Sequence, residues 1–261
     1  MPLVYRESLP VEEPKGTVLC VHGWPETSYM WRDQLEAVAD AGWQAVAPDL
    51  PGYGDSPLGE LRGTWTDHVG ALDAFHREQE LGEVVLVMHD WGGLIGLRWA
   101  CEHPDLVRAM VISNTGFFAD GRWHGLADVM RTPDQGEALI DGVDREGFGA
   151  MLRSVSPGMD DRALDEYFKA YESEERRRGM LSLYRSGEFS ELEDYDLTTV
   201  KAPSLILWGA DDAFAPVAGA HRFDSELDDT SLVVVEGAGH FVYDDEPERC
   251  SREIVSFLDR V

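Results

Sequence analysis

Apolar and polar positions change period along the chain. Residues 17–21 (TVLCV), 84–88 (VVLVM) and 204–208 (SLILW) are short, almost unbroken apolar runs rich in β-branched residues. That pattern predicts strands buried on both faces, as in a parallel sheet. Residues 44–47, 106–113 and 232–235 read the same way, and 3–8 as an edge strand. Between these runs the period lengthens. Residues 29–41 place Trp31, Leu35 and Val38 on one helical stripe with Gly42 as a stop, and 64–80, 217–226 and 247–258 also read as helices. From 117 to 200 strands vanish, and short helical stretches separated by Gly and Pro take over. Within it, 161–179 is strongly charged. Glu172 with Arg176, and Glu174 with Arg178, stand four apart and predict a solvated helical face. The expected class is α/β, a mostly parallel central sheet flanked by helices. Its core spans 1–116 and 201–261, interrupted by a helical insertion over 117–200.

One junction stands out. Residues 86–96, LVMHDWGGLIG, run from strand to helix through a turn carrying His89, Asp90 and Trp91. A tight strand-to-helix turn lifts its apex side chain clear of the sheet, the geometry of a nucleophile elbow. Here the apex is Asp90, not a serine. A carboxylate attacks sp3 carbon bearing a leaving group and forms an alkyl ester. The helix that follows aims backbone N–H groups at Asp90 and favours its ionised form. The competing reading is an Asp that merely caps the helix.

Composition narrows the classes. A net charge of −28 argues against nucleic acid and anionic membranes as partners, and disfavours anionic substrates. No apolar run is long enough to span a bilayer, and residues 1–14 have no signal-peptide core. Three widely spaced cysteines match no zinc or disulfide pattern and suit a cytoplasmic setting.

An aspartyl ester needs a base to hydrolyse it and an acid to orient that base. Both belong on loops after later strands. Among eight histidines, His240 follows the last predicted strand in a Gly-rich loop, Gly237-Ala238-Gly239-His240-Phe241. Asp211 and Asp212 follow the strand ending at Trp208-Gly209, and either could be the acid. The order nucleophile, acid, histidine suits an elbow of this type.

Five motifs in order then carry a resemblance over nearly the whole chain. They are His22-Gly23-Trp24-Pro25, Pro51-Gly52-Tyr53-Gly54-Asp55-Ser56, His89-Asp90-Trp91-Gly92-Gly93, Gly209-Ala210-Asp211-Asp212 with Pro216, and Gly239-His240-Phe241. The chain resembles the α/β-hydrolase superfamily in its aspartate-nucleophile branch, the haloalkane dehalogenases and epoxide hydrolases. The resemblance implies an α/β-hydrolase fold with a helical cap over 117–200. It selects Asp212 over Asp211 through the spacing to Pro216, and implies a triad of Asp90, Asp212 and His240. It also implies an oxyanion site at the backbone N–H groups of Trp24 and Trp91, with Trp91 as a leaving-group donor. Cap donors would come from Trp123, His124 or Tyr184. No metal or organic cofactor is implied; the partners are a small hydrophobic substrate and water.

The same resemblance ranks the activities. Trp24 stands where many dehalogenases carry an Asn, and Tyr184 with His124 is similar to an epoxide-hydrolase donor pair. Met88, the 27–32 segment and the compact cap resemble dehalogenases. A haloalkane dehalogenase is therefore expected first and an epoxide hydrolase second. A catalytically degenerate relative that only binds a hydrophobic ligand is the reading from another class, and it has no need of Asp90, Asp212 and His240 together.

Overall fold

The computed structural model describes residues 2–261. Seven strands, β1 (Tyr5–Ser8), β2 (Thr17–Val21), β3 (Gln44–Pro48), β4 (Val84–His89), β5 (Val107–Ser113), β6 (Ser204–Gly209) and β7 (Thr230–Val235), form one sheet in the order β1-β3-β2-β4-β5-β6-β7. Only β1 runs antiparallel, along β3 at the edge. The chain is α/β with the mostly parallel sheet its apolar runs predicted, because strands covered on both faces have no polar side to show. Every residue of β2, β4 and β6 is buried.

Helices α1 (Arg32–Asp40), α2 (Trp65–Glu78), α3 (Trp91–Glu102), α9 (Ala218–Glu226) and α10 (Pro247–Leu258) alternate with the strands. Helix α2 begins at a capping box in which Thr64 and Asp67 bond each other's backbone N–H. The expected helix over 29–41 is divided: Ser28–Trp31 is a 3-10 turn, α1 follows, and Gly42 stops it with φ +91°.

Between β5 and β6 lie α4 (Gly125–Arg131), α5 (Gln135–Asp141), α6 (Arg145–Val155), α7 (Asp161–Phe168) and α8 (Glu174–Arg185), with no strand. Helix α8 lies across loops at the carboxyl ends of the strands. Trp65 Nε1 donates to Leu183 O at 2.8 Å and Arg176 to Gly54 O at 2.6 Å. The charged stretch differs from its sequence reading at one pair. Ser173 caps α8, leaving Glu172 outside the helix, and Arg176 binds backbone oxygens of Gly54 and Lys169 instead. Glu174 and Arg178 do pair, at 3.7 Å. The charges cover one face of α8, while Met180, Leu181, Leu183 and Tyr184 are buried on the other. Among the described residues no helix is long and apolar enough to cross a membrane.

Candidate active site

Strand β4 ends at His89, and the chain turns into α3 through Asp90 with φ +48° and ψ −124°. Small residues make this turn sterically possible. A Cβ on Gly92 would lie 2.2 Å from Val21 O, and one on Gly93 would lie 2.3 Å from Thr115 Oγ1. Gly23 is equally constrained, since its Cβ would meet the Asp90 side chain at 2.5 Å. The glycines let β2, the β5 loop and α3 close tightly around one carboxylate.

The Asp90 side chain makes no helix-capping bond. Its Oδ2 accepts from Trp24 N–H at 2.8 Å, and its Oδ1 lies 3.6 Å from His240 Nε2. Trp91, as the first residue of α3, has no carbonyl of its own helix for its N–H. Thr115 Oγ1 donates to Asp90 O at 2.6 Å and fixes the strained backbone.

His240 Nδ1 lies 2.7 Å from Asp212 Oδ2. That carboxylate is closely held: Asn114 Nδ2 donates to Oδ2 at 2.7 Å, and the N–H groups of Phe214 and Ala215 donate to Oδ1 at 2.7 and 2.9 Å. Asp211 is exposed, and it is Asp212 that His240 Nδ1 meets. Burial works against ionising Asp212, but His240, Asn114 and Ala215 N–H outweigh it and hold its pKa at about 2. Burial likewise opposes charge on His240, and the carboxylates of Asp212 and Asp90 raise it well above the usual imidazole value. Asp90 is held low despite burial by His240 and by Trp24 N–H. Both flanking carboxylates thus favour the charged form of the imidazole.

The other predicted residues are placed unevenly around this line. Tyr184 is buried, edge-on to both Trp24 and Trp91, with ring centroids 5.7 and 5.0 Å away. His124 borders the same cavities as Asp90 and His240. Its Nδ1 accepts from Ala127 N–H at 3.2 Å, so the neutral ring carries its proton on Nε2. Trp123 presents only its ring to the cavity. Its Nε1 donates outward to Glu188 at 3.4 Å, so the structure does not bring that N–H to Asp90. Trp24 Nε1 is also engaged, by Met180 Sδ at 3.3 Å.

Several participants were not read from sequence. Asn114 and Thr115 sit directly after β5 and fix Asp212 and Asp90; polar residues just past an apolar strand were the available signal. Behind His240, the His89 ring lies 5.0 Å away, centroid to centroid, and His89 Nε2 lies 3.5 Å from Glu26 Oε2, with both side chains fully buried. Burial, aided by the charges of Asp244 and Asp90, raises Glu26 well above the carboxylate range; burial and the His240 charge push His89 down to about 3. Both shifts favour the uncharged forms.

The elbow, the three-residue line and the sheet order coincide with a family model described as the alpha/beta hydrolase fold, which matches residues 16–247. The chain belongs to that family. Within the alpha/beta hydrolases it is similar to a haloalkane dehalogenase of Mesorhizobium japonicum, 28% identical over 94% of this chain and 85% of that protein. Epoxide hydrolase A of Mycobacterium tuberculosis is 29% identical, over 92% of this chain and 89% of the other. A solved structure of an inferred ancestral haloalkane dehalogenase superposes with a TM-score of 0.85 at 26% identity, covering 99% of this chain and 95% of its own. Many alpha/beta hydrolases hold a serine at the elbow; this chain holds Asp90.

Proposed function

We propose that this alpha/beta hydrolase is a haloalkane dehalogenase-like enzyme that works through a covalent alkyl ester on Asp90. The observation that carries the reading is the line Asp212–His240–Asp90, with one Asp90 oxygen held by Trp24 N–H and the other facing His240 Nε2 at 3.6 Å. Oδ1 attacks the carbon, the carbon–halogen bond breaks, and the halide leaves with the electron pair. The Trp91 indole N–H, beside the Tyr184 hydroxyl, is the donor for the departing halide, since those of Trp24 and Trp123 are turned to Met180 and Glu188. Esterification removes the Asp90 charge, one of the two that raise His240. That lowers the His240 pKa, so the ring can release its proton to solvent and reach the neutral form that accepts one from water. It takes a proton from water, and the oxygen adds to the ester carbonyl. Oδ2 becomes the oxyanion, facing the N–H groups of Trp24 and Trp91. Collapse breaks the carbonyl carbon–Oδ1 bond, His240 gives its proton to the leaving Oδ1, and the alcohol departs.

A second reading, epoxide hydrolysis, is supported by Tyr184 and His124, which border the cavities beside Asp90 and could hold an opening epoxide oxygen. In either case the substrate is a small uncharged hydrophobic molecule and water is the second reactant. Residues 117–200 act as the cap. The charge of −28 and the three free cysteines support a cytoplasmic protein that binds neither nucleic acid nor an acidic membrane.

Intact mass of a His240→Gln variant, incubated separately with a bromoalkane and an epoxide, tests both readings. Without the base the ester is stranded. A gain equal to the alkyl group is the expected result, and a gain equal to the whole epoxide selects the second reading. No gain from either, by a folded protein, rejects the ester mechanism.

A further inference from the structure

Asp90 does not sit at the bottom of one pocket. Two cavities of similar size, about 270 and 280 Å³, both reach it and His240. They share Asp90, His240, His124, Tyr184 and Phe214, and otherwise have different walls. The first extends beneath Trp91, Trp123, Phe118 and Phe189 toward the start of α9, and is aromatic. The second is bordered by Leu126 of α4 and by Met151, Leu152 and Val155 along α6, and with Trp24 and Phe241 completing it, its walls are more aliphatic than those of the first. The His124 and Phe214 rings, with centroids 5.1 Å apart, stand where the two meet, and Phe214 packs edge-on to His240 at 5.3 Å.

Back-side displacement constrains what this arrangement accepts. The attacking oxygen, the carbon and the leaving group lie in line, so the carbon's other substituents lie across that axis. A terminal carbon has one carbon substituent and fills one chamber. An internal carbon has two, and can bury both when a chamber opens on each side of the nucleophile.

We propose that this enzyme is built for substrates whose reacting carbon is internal, with one arm in the aromatic chamber and the other in the aliphatic chamber. This rests on the assignment of Asp90 as nucleophile and adds the substrate shape. Burying the second arm lowers the transition state only if that arm is present, so selectivity appears in kcat/KM. The preferred arms are unequal: a flat or aromatic group toward Trp91 and Trp123, and an unbranched alkyl group toward α6.

The test compares isomers of one formula: 1-bromohexane with 3-bromohexane, and 1,2-epoxyhexane with trans-3,4-epoxyhexane. Within whichever class is turned over, the internal isomer is expected to have the higher kcat/KM, against its greater intrinsic hindrance. Met151→Trp, which fills the aliphatic chamber, should lower the internal-to-terminal ratio by roughly tenfold, the worth of a few buried methylene groups. Leu126→Trp fills the same chamber from α4 and should act in the same direction. A wild-type preference for the terminal isomer, or a ratio unmoved by both variants, overturns the proposal while leaving the nucleophile assignment intact. Absence of any adduct on the His240→Gln variant with all four compounds removes that assignment and the proposal with it.

Discussion

At the scale of single residues, the site depends on an uncomfortable one. Asp90 has φ +48°, a region that costs a side-chain-bearing residue on the order of 1–3 kcal/mol, and it makes no capping bond in return. A carboxylate kept only to cap α3 would not be held this way. Asp90→Gly should therefore abolish turnover while melting no lower than the wild type, since glycine relieves the strain. A melting temperature several degrees lower would mean the carboxylate is structural. The two adjacent acids separate just as clearly. Asp212→Asn should cut hydrolysis by about 10³–10⁴-fold, because it loses the charge that orients and stabilises the imidazolium, and Asp211→Asn should change little. Equal losses would undo the choice of Asp212.

At the scale of elements, the elbow works because β2, β4, β5 and α3 meet with almost no side-chain volume between them. The Gly92 position lies against backbone oxygens of Val21 and His22, which cannot swing aside as a side chain would. Gly92→Ala should push α3 away from β2 and cost about 2 kcal/mol or more. The loss should appear as a lower melting temperature together with lost activity, since Trp24 N–H must stay 2.8 Å from Asp90. Unchanged melting and turnover would mean that this close approach is unimportant. Helix α8 shows how an element can read one way and act another. Its sequence is dominated by charge, yet its buried face carries Tyr184 to the site and its Arg176 ties it to the Gly54 carbonyl.

At the scale of the whole molecule, an excess of 28 negative charges surrounds a site that is itself nearly balanced, with two low-pKa carboxylates around one raised imidazole. The residue set against this balance is Glu26, buried and raised. A carboxyl whose folded pKa is raised contributes its stability below the unfolded value, about 4.5, and loses it as pH climbs toward the folded value. Glutamine keeps the neutral shape without that loss. The stability advantage of Glu26→Gln over the wild type should accordingly grow between pH 4.5 and pH 8, read by thermal melts at each pH. A gap that stays constant or narrows would show that Glu26 is not held neutral.

The sequence by itself determined the class of fold, because strands buried on both faces are unbroken apolar runs and amphipathic helices are periodic; both signals are local. It also marked the 237–241 loop and the strand-to-helix junction at Asp90, because tight turns leave a glycine signature that chemistry-bearing residues interrupt. Only the tertiary structure decided the rest. Asn114, Thr115 and the Glu26–His89 pair matter through partners up to 98 residues away, and spacing along a chain says nothing about such meetings. Trp123 lies beside the cavity but turns its N–H to Glu188, a matter of side-chain rotation that no pattern encodes. The two chambers beside Asp90 arise from how α4, α6 and α8 pack over the strand ends. Their volumes depend on that packing rather than on any one residue.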